Sequence, residues 1–244
     1  MKTKRIGPVM LLVIFLAACS GDPDPKHSAK DWVVSDEAWV SSTADFETGT
    51  FEDGSSLAQQ GEQYIIHTTN VRSGRYLTGK SQADPLKNVM VEVQANQQAG
   101  TDDNWFGVMC RVDEQNAGYA FLISNDGFWA IAKADGSRLR FLENWRKNDA
   151  IKEDGTNTIQ AYCIDNYQAL YVNGEFVGDY EDKSISAAGQ VALISGGPED
   201  EPVTIAFHDL QAKQAYFKNN PDPTTPTQPA LELAPINPQP TDAN

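Results

Sequence analysis

The stretch 104–133, NWFGVMCRVDEQNAGYAFLISNDGFWAIAK, constrains the fold more than any other part of the chain. Phe106, Val108, Cys110 and Val112 point one way and Trp105, Gly107, Met109 and Arg111 the other, because successive side chains of a strand lie on opposite faces. This predicts a strand over Trp105–Val112. Two further strands, Tyr119–Ser124 and Phe128–Lys133, flank Asn125-Asp126-Gly127, and Asp-Gly read as a two-residue loop is a strong hairpin signal because both positions then take φ > 0. Such a turn opposes Ser124 to Trp129, Ile123 to Ala130, Leu122 to Ile131, Phe121 to Ala132 and Ala120 to Lys133, and directly opposed residues share a face. Phe121, Ile123, Ala130 and Ala132 would then form an apolar face. Leu122, Ile131, Ser124, Trp129 and Lys133 would form a mixed one that water or a ligand could reach.

The same alternation recurs along the chain. Gln63–Thr69, Arg75–Leu77, Asn88–Ala95, Asn157–Ile164, Gln168–Val172, Glu175–Tyr180, Gly189–Ser195 and Val203–Ala212 all read as short strands, Asn173-Gly174 supplies a second tight turn, and a short stretch Leu139–Leu142 leads into a longer loop through Trp145 to Gly155. Beyond the N-terminal apolar segment no stretch keeps a 3.6-residue apolar period over three turns. Roughly ten to twelve strands in one domain call for an all-β sandwich of two antiparallel sheets. The domain is expected over 45–213, after a spacer at 19–44 rich in Asp, Pro, Lys, Ser and Thr. From 214 to 244 the chain becomes proline-rich, a composition that cannot pair in a sheet and predicts a disordered tail.

The first 18 residues carry Lys2, Lys4 and Arg5 and then an apolar run, the pattern of a secretory signal peptide. The run is well short of the ~20 residues that span a bilayer. Its ending, Leu16-Ala17-Ala18-Cys19, resembles the bacterial lipobox, which implies lipidation of Cys19 as the first mature residue. The expected product is exported and lipid-anchored to a cell membrane or outer membrane, periplasmic or at the cell surface. The whole chain carries a formal charge of −15, and loss of 1–18 removes three positive charges and no negative ones. A protein this acidic is repelled by nucleic acid and by anionic head groups, which leaves acyl chains as its hold on a membrane. With Cys19 assigned to lipid, Cys110 and Cys163 remain. Both lie on apolar strand faces in an exported protein, which favours a disulfide over two separate buried thiols.

The runs Asn104–Arg111, Gly118–Gly127 and Leu170–Gly174 resemble the concanavalin A-like jelly roll, in the broad set with laminin G-like and 3-keto-disaccharide hydrolase-like domains. The resemblance covers about 45–212 and implies fold more than activity. Laminarinase-type glycosidases of this fold carry the spacing E-x-D-x-x-E, which places an acid and a nucleophile about 5–5.5 Å apart. That spacing does not occur in the chain. The acidic pairs Asp102-Asp103, Asp113-Glu114 and Glu181-Asp182, and the run Glu199-Asp200-Glu201, fall at strand ends and loops, where a solvated rim is the simpler reading. Calcium is a fair question for a jelly roll, and Asp102, Asp103 and Asn104 offer oxygen ligands, but a calcium site needs six to eight.

The constellation that bears on function is the expected mixed face: Trp105, Arg111, Trp129, Lys133, Gln160 and Tyr162. Aromatic rings stack on sugar C–H faces while Arg, Gln and Tyr bond hydroxyls, which suits a groove for a polysaccharide or other envelope glycan. A half-buried sheet face covered by loops explains the same residues. Trp145, in the loop reading, is either a lid or a plug. Three functions follow: a non-catalytic carbohydrate-binding domain, a glycoside or 3-keto-glycoside hydrolase implied by the resemblance alone, and a structural or protein-docking envelope component.

Overall fold

A computed structural model describes residues 31–69, 75–197 and 201–218. Cys19, the segment 1–18 and the tail beyond Lys218 lie outside the described residues. Those described form fifteen strands and no helix. In chain order they are β1 Trp32–Val40, β2 Gly49–Thr50, β3 Ser56–Gln60, β4 Gln63–Thr68, β5 Tyr76–Lys80, β6 Val89–Ala99, β7 Trp105–Val112, β8 Ala117–Ser124, β9 Phe128–Asp135, β10 Leu139–Lys147, β11 Asn157–Ile164, β12 Tyr167–Val172, β13 Glu175–Glu181, β14 Gln190–Gly196 and β15 Val203–Phe217. One sheet runs β13-β12-β11-β6-β15-β4-β3-β2 with β1 added against β15, and the other runs β10-β9-β8-β7-β14-β5. All pairings are antiparallel. The two sheets bury one continuous core that includes Phe106, Val108, Phe121 and Ile123 from the smaller sheet and Val91, Val93, Ile159, Leu170 and Phe207 from the larger. A second apolar cluster, with Trp105, Met109, Leu122 and Ile194, lies on the other face of the smaller sheet.

The two hairpin turns differ in kind. Asn173 (φ 53°) and Gly174 (φ 84°) both sit in the left-handed region and pair Val172 with Glu175, the expected two-residue turn. At Asn125-Asp126-Gly127 only Gly127 is left-handed (φ 89°), and its N–H donates to the Ser124 carbonyl at 3.1 Å. This is a three-residue loop, a type I turn closed by a left-handed glycine. Ile123 therefore faces Trp129, Phe121 faces Ile131 and Tyr119 faces Lys133, one residue away from the expected register. A slip of one residue exchanges the faces of a strand. Trp129, Ile131 and Lys133 accordingly turn inward with Phe121 and Ile123, while Ala130 and Ala132 turn outward.

A second departure lies at Arg111. Between Met109↔Ala192 and Val112↔Gln190 the partner strand has one residue fewer, and Arg111 takes φ 53°. This β-bulge breaks the alternation expected along β7. Val112 joins Trp105 and Met109 on the outward cluster, and Arg111 turns in beneath the Tyr119 ring, 5.8 Å from its centroid. One position earlier, Cys110 forms a disulfide with Cys163, with Cα atoms 6.7 Å apart. The bond joins β7 of the smaller sheet to β11 of the larger, and both cysteines are fully buried.

The sandwich begins earlier than residue 45 and ends later than 213. β1 pairs with the second half of β15, from Val40↔Ala212 to Trp32↔Phe217. Trp32 is held by rings on the outer side of the larger sheet, 4.9 Å from Tyr162 and 5.9 Å from Tyr167 between centroids. Trp32 at one end and Val40 at the other are the buried anchors of the strand, and the exposed Asp36 and Glu37 fall between them at an irregularity in its register.

Candidate functional site

At the end of the sandwich where β7 begins and β8 ends, Trp105 pairs with Ser124. The three-residue loop places Asp126 beside them, and the Ser124 hydroxyl donates to the Asp126 carboxylate and accepts from the Phe128 N–H at 3.3 Å. Loop 101–104 is tied to the same tip by the Asp126 N–H, which donates to the Asp102 carbonyl at 2.9 Å. Across the opening, register shifts in β10 carry Trp145 onto the outward face of the sheet, where it packs against the cluster containing Trp105. The result is a pocket of about 290 Å³ lined by Asp103, Trp105, Ser124, Asp126, Phe128 and Trp145. Three aromatic rings, two carboxylates and a hydroxyl face one space. Lys147 stands at its rim, its ammonium 5.9 Å from the Phe128 centroid and 2.8 Å from the Glu153 carboxylate.

Of the six residues expected on one groove, Trp105 alone lines this pocket. Arg111 is 2 % exposed at the opposite end of β7, where its guanidinium donates to the carbonyls of Lys87, Ile185 and Asp165, each at 2.7 Å. Trp129 is 4 % exposed between the sheets, its ring lying on the Gly178 backbone so closely that a Cβ there would fall 1.9 Å from it. Lys133 pairs with Asp182 at 3.1 Å and donates to Ser184 at 2.8 Å. Gln160 and Tyr162 occupy the outer side of the larger sheet, where Gln160 donates to Glu92 at 2.8 Å and Tyr162 to Gln160 at 3.2 Å. The single mixed face thus divides over three surfaces. The hairpin slip moves Trp129 and Lys133 inward, the bulge moves Arg111, and β11 belongs to the other sheet.

Asp182, expected on a solvated rim, is instead part of a bonded network. Burial raises its pKa, but hydrogen bonds from the Ser184 hydroxyl, the Tyr119 hydroxyl, the Ser184 N–H and Lys133 outweigh that and hold the carboxyl well below the usual range. Burial pushes the Tyr119 hydroxyl up, and its donation to Asp182 at 2.6 Å adds to the shift. These groups tie β8 and β9 to the segment after β13.

The three residues of the acidic loop are engaged differently. Asp102 accepts from Asn125 at 3.3 Å, Asp103 accepts from Thr101 at 2.7 Å, and Asn104 is fully buried with both side-chain polar atoms unbonded. No three carboxylate, imidazole or thiolate groups converge among the described residues. His67 and His208 bond Thr204 and Asp209, and His27 lies outside the described residues. Asp126 escapes a sequence reading because turn chemistry already accounts for it, and Phe128 because it reads as the first residue of a strand. Trp145 is visible in sequence, but its place over the pocket depends on a bulge that alternation does not reveal.

Scanned against protein-family models and against curated protein sequences, the chain matches none. Solved structures do match. A prokaryotic β-1,3-1,4-glucanase (lichenase) derived from a mouse hindgut metagenome superposes with a TM-score of 0.52 at 11% identity, covering 75% of this chain and 98% of that one. A structure described as a native glycosidic hydrolase gives 0.51 at 10% identity, over 77% of this chain and 97% of that one. The GH43 protein BlXynB mutant K247S from Bacillus licheniformis gives 0.51 at 12% identity, over 79% of this chain and 40% of that one. With two antiparallel sheets in this order and these superpositions, the domain has an all-β jelly-roll sandwich fold.

Proposed function

We propose that the chain is a non-catalytic glycan-binding protein, exported and held to a membrane by a lipid on Cys19, with a sugar seated between Trp105 and Trp145. The observation that carries this reading is the pocket itself. Flat indole faces suit the apolar faces of a pyranose, while Asp103, Asp126 and Ser124 accept or donate to its hydroxyls. Trp145 is the residue to remove, because it is half-buried and sits on the rim rather than in the inter-sheet core. On a glycan array, Trp145→Ala should lose a signal that the wild type gives, at unchanged melting temperature. Failure of the wild type to bind any polysaccharide or oligosaccharide sinks the proposal.

A hydrolase remains the second reading, because Asp103 and Asp126 line one pocket and a pair of carboxylates is the minimum a glycosidase needs. Release of product from chromogenic or 3-keto glycosides, abolished by Asp126→Asn, would establish it. The lipid anchor is tested separately. Labelled fatty acid should enter the wild type and not Cys19→Ser, and equal labelling of both would exclude that attachment.

A further inference from the structure

The charged side chains that line the pocket are both carboxylates, Asp103 and Asp126, and its walls are the rings of Trp105, Phe128 and Trp145. Aromatic faces carry partial negative charge and attract a cation held over them. Carboxylates beside such faces add attraction of the same sign. We propose that this pocket takes a sugar bearing an ammonium group, a hexosamine unit with its amine free, in preference to the N-acetylated or the acidic sugar. The proposal rests on the glycan-binding reading and narrows it to a class of sugar.

The rim already holds one ammonium under these conditions. Lys147 lies over Phe128, and its pKa is raised, first by its hydrogen bond to Glu153, then by the Glu153 charge, with Asp126 and Asp149 contributing. Most of that shift comes from Glu153, outside the pocket lining, and the pocket's own part in it is the Asp126 charge. Lys147 is committed to Glu153 at 2.8 Å, so it stands at the rim and leaves Asp103 and Asp126 facing the interior. Asp103 accepts one bond, from Thr101, and Asp126 one from Ser124, and a carboxylate accepts several. A uronic or sialic acid would bring a third negative charge into this space, on a chain whose formal charge is already −15. An acetamide brings no charge to meet the carboxylates.

Saturation-transfer NMR and calorimetry on the full chain test this with glucosamine, galactosamine and mannosamine, their N-acetyl counterparts, the parent hexoses and glucuronate. At least one free amine should bind about tenfold tighter than its N-acetyl and parent forms, in line with a cation held by aromatic faces and carboxylates. The advantage should shrink as salt rises. Asp103→Asn and Asp126→Asn should each reduce it, and Trp145→Ala should remove binding. Equal binding of amine, N-acetyl and hydroxyl forms, lost in Trp145→Ala, would overturn the amine preference and leave the glycan pocket standing. Absence of binding by every sugar would overturn the glycan reading as well. Amine binding that survives all three substitutions would be general attraction to an acidic surface, and would also overturn the proposal.

Discussion

Arg111 shows how much one side chain can organise. Its guanidinium satisfies three backbone carbonyls, at Lys87, Asp165 and Ile185, each in a segment that closes the end of the sandwich away from the pocket. Burial lowers its pKa, with partial restoration by Tyr119 and Asp165, and a guanidinium stays charged through such a shift. Arg111→Met would take the guanidinium donor from these partly buried acceptors, at a cost of about 1–3 kcal/mol. Arg111→Lys should recover only part, because its three donors radiate from one nitrogen, whereas the carbonyls are reached from three nitrogens of the guanidinium. Denaturant unfolding of both variants checks the order wild type, Lys, Met. Asp182 makes a second prediction at this scale. Its folded pKa is depressed, so it adds stability that is full above the unfolded value of about 3.9 and is lost as pH falls through the folded value. Asp182→Asn should therefore be less stable than wild type at neutral pH, and the gap should narrow on acidification. Melting curves that keep the gap constant from neutral to strongly acidic pH would refute that assignment.

Among elements, the disulfide between β7 and β11 is the covalent tie across the sandwich among the described residues. It closes a loop of 53 residues, for which chain entropy gives about 4 kcal/mol. Reduction should lower the melting temperature while far-ultraviolet dichroism at low temperature keeps its strand signature; an unchanged melting temperature would show that packing alone suffices. This pairing was legible in sequence because cysteine count and strand faces agree without needing the register of any turn. The positions of the strands from Gln63 onward were legible for the same reason, since alternation is local, except that the half of β10 carrying Trp145 reads as loop because register shifts break its alternation. The grouping of side chains into a site was not. Asp-Gly is compatible with a two-residue and a three-residue loop, and the difference of one residue sends Trp129 and Lys133 to the opposite face. Nothing in the letters around Arg111 announces a bulge, and which sheet receives β11 depends on contacts far along the chain. β1 was obscured because its charged middle separates its buried ends, Trp32 among the rings of Tyr162 and Tyr167 and Val40 in the core.

For the molecule as a whole, the pocket and the two ends of the described domain lie at opposite poles. Gly100, in the approach to the pocket loop, lies against Pro202 and Val203 at the start of β15. Trp32 and Phe217 pair at its far end, and the Lys218 N–H donates to the Asp31 carbonyl at 2.8 Å. Fifteen residues of strand separate the poles, roughly 45 Å at about 3.3 Å per residue. A chain held at its N-terminal side thus presents the pocket away from the holding point. The Trp32–Phe217 pair also sets the mechanics of such a tether. Pulled between its N-terminal end and a ligand in the pocket, β1 is loaded along its own axis, so its bonds to β15 are sheared together. Pulled between residues 31 and 218, the same two strands part at their shared end and peel one pair at a time. Single-molecule stretching should find a markedly higher rupture force in the first geometry than in the second, and equal forces would contradict it. If the proposed anchor and ligand are as described, drag on the ligand would load the domain in the direction in which its sheet is strongest.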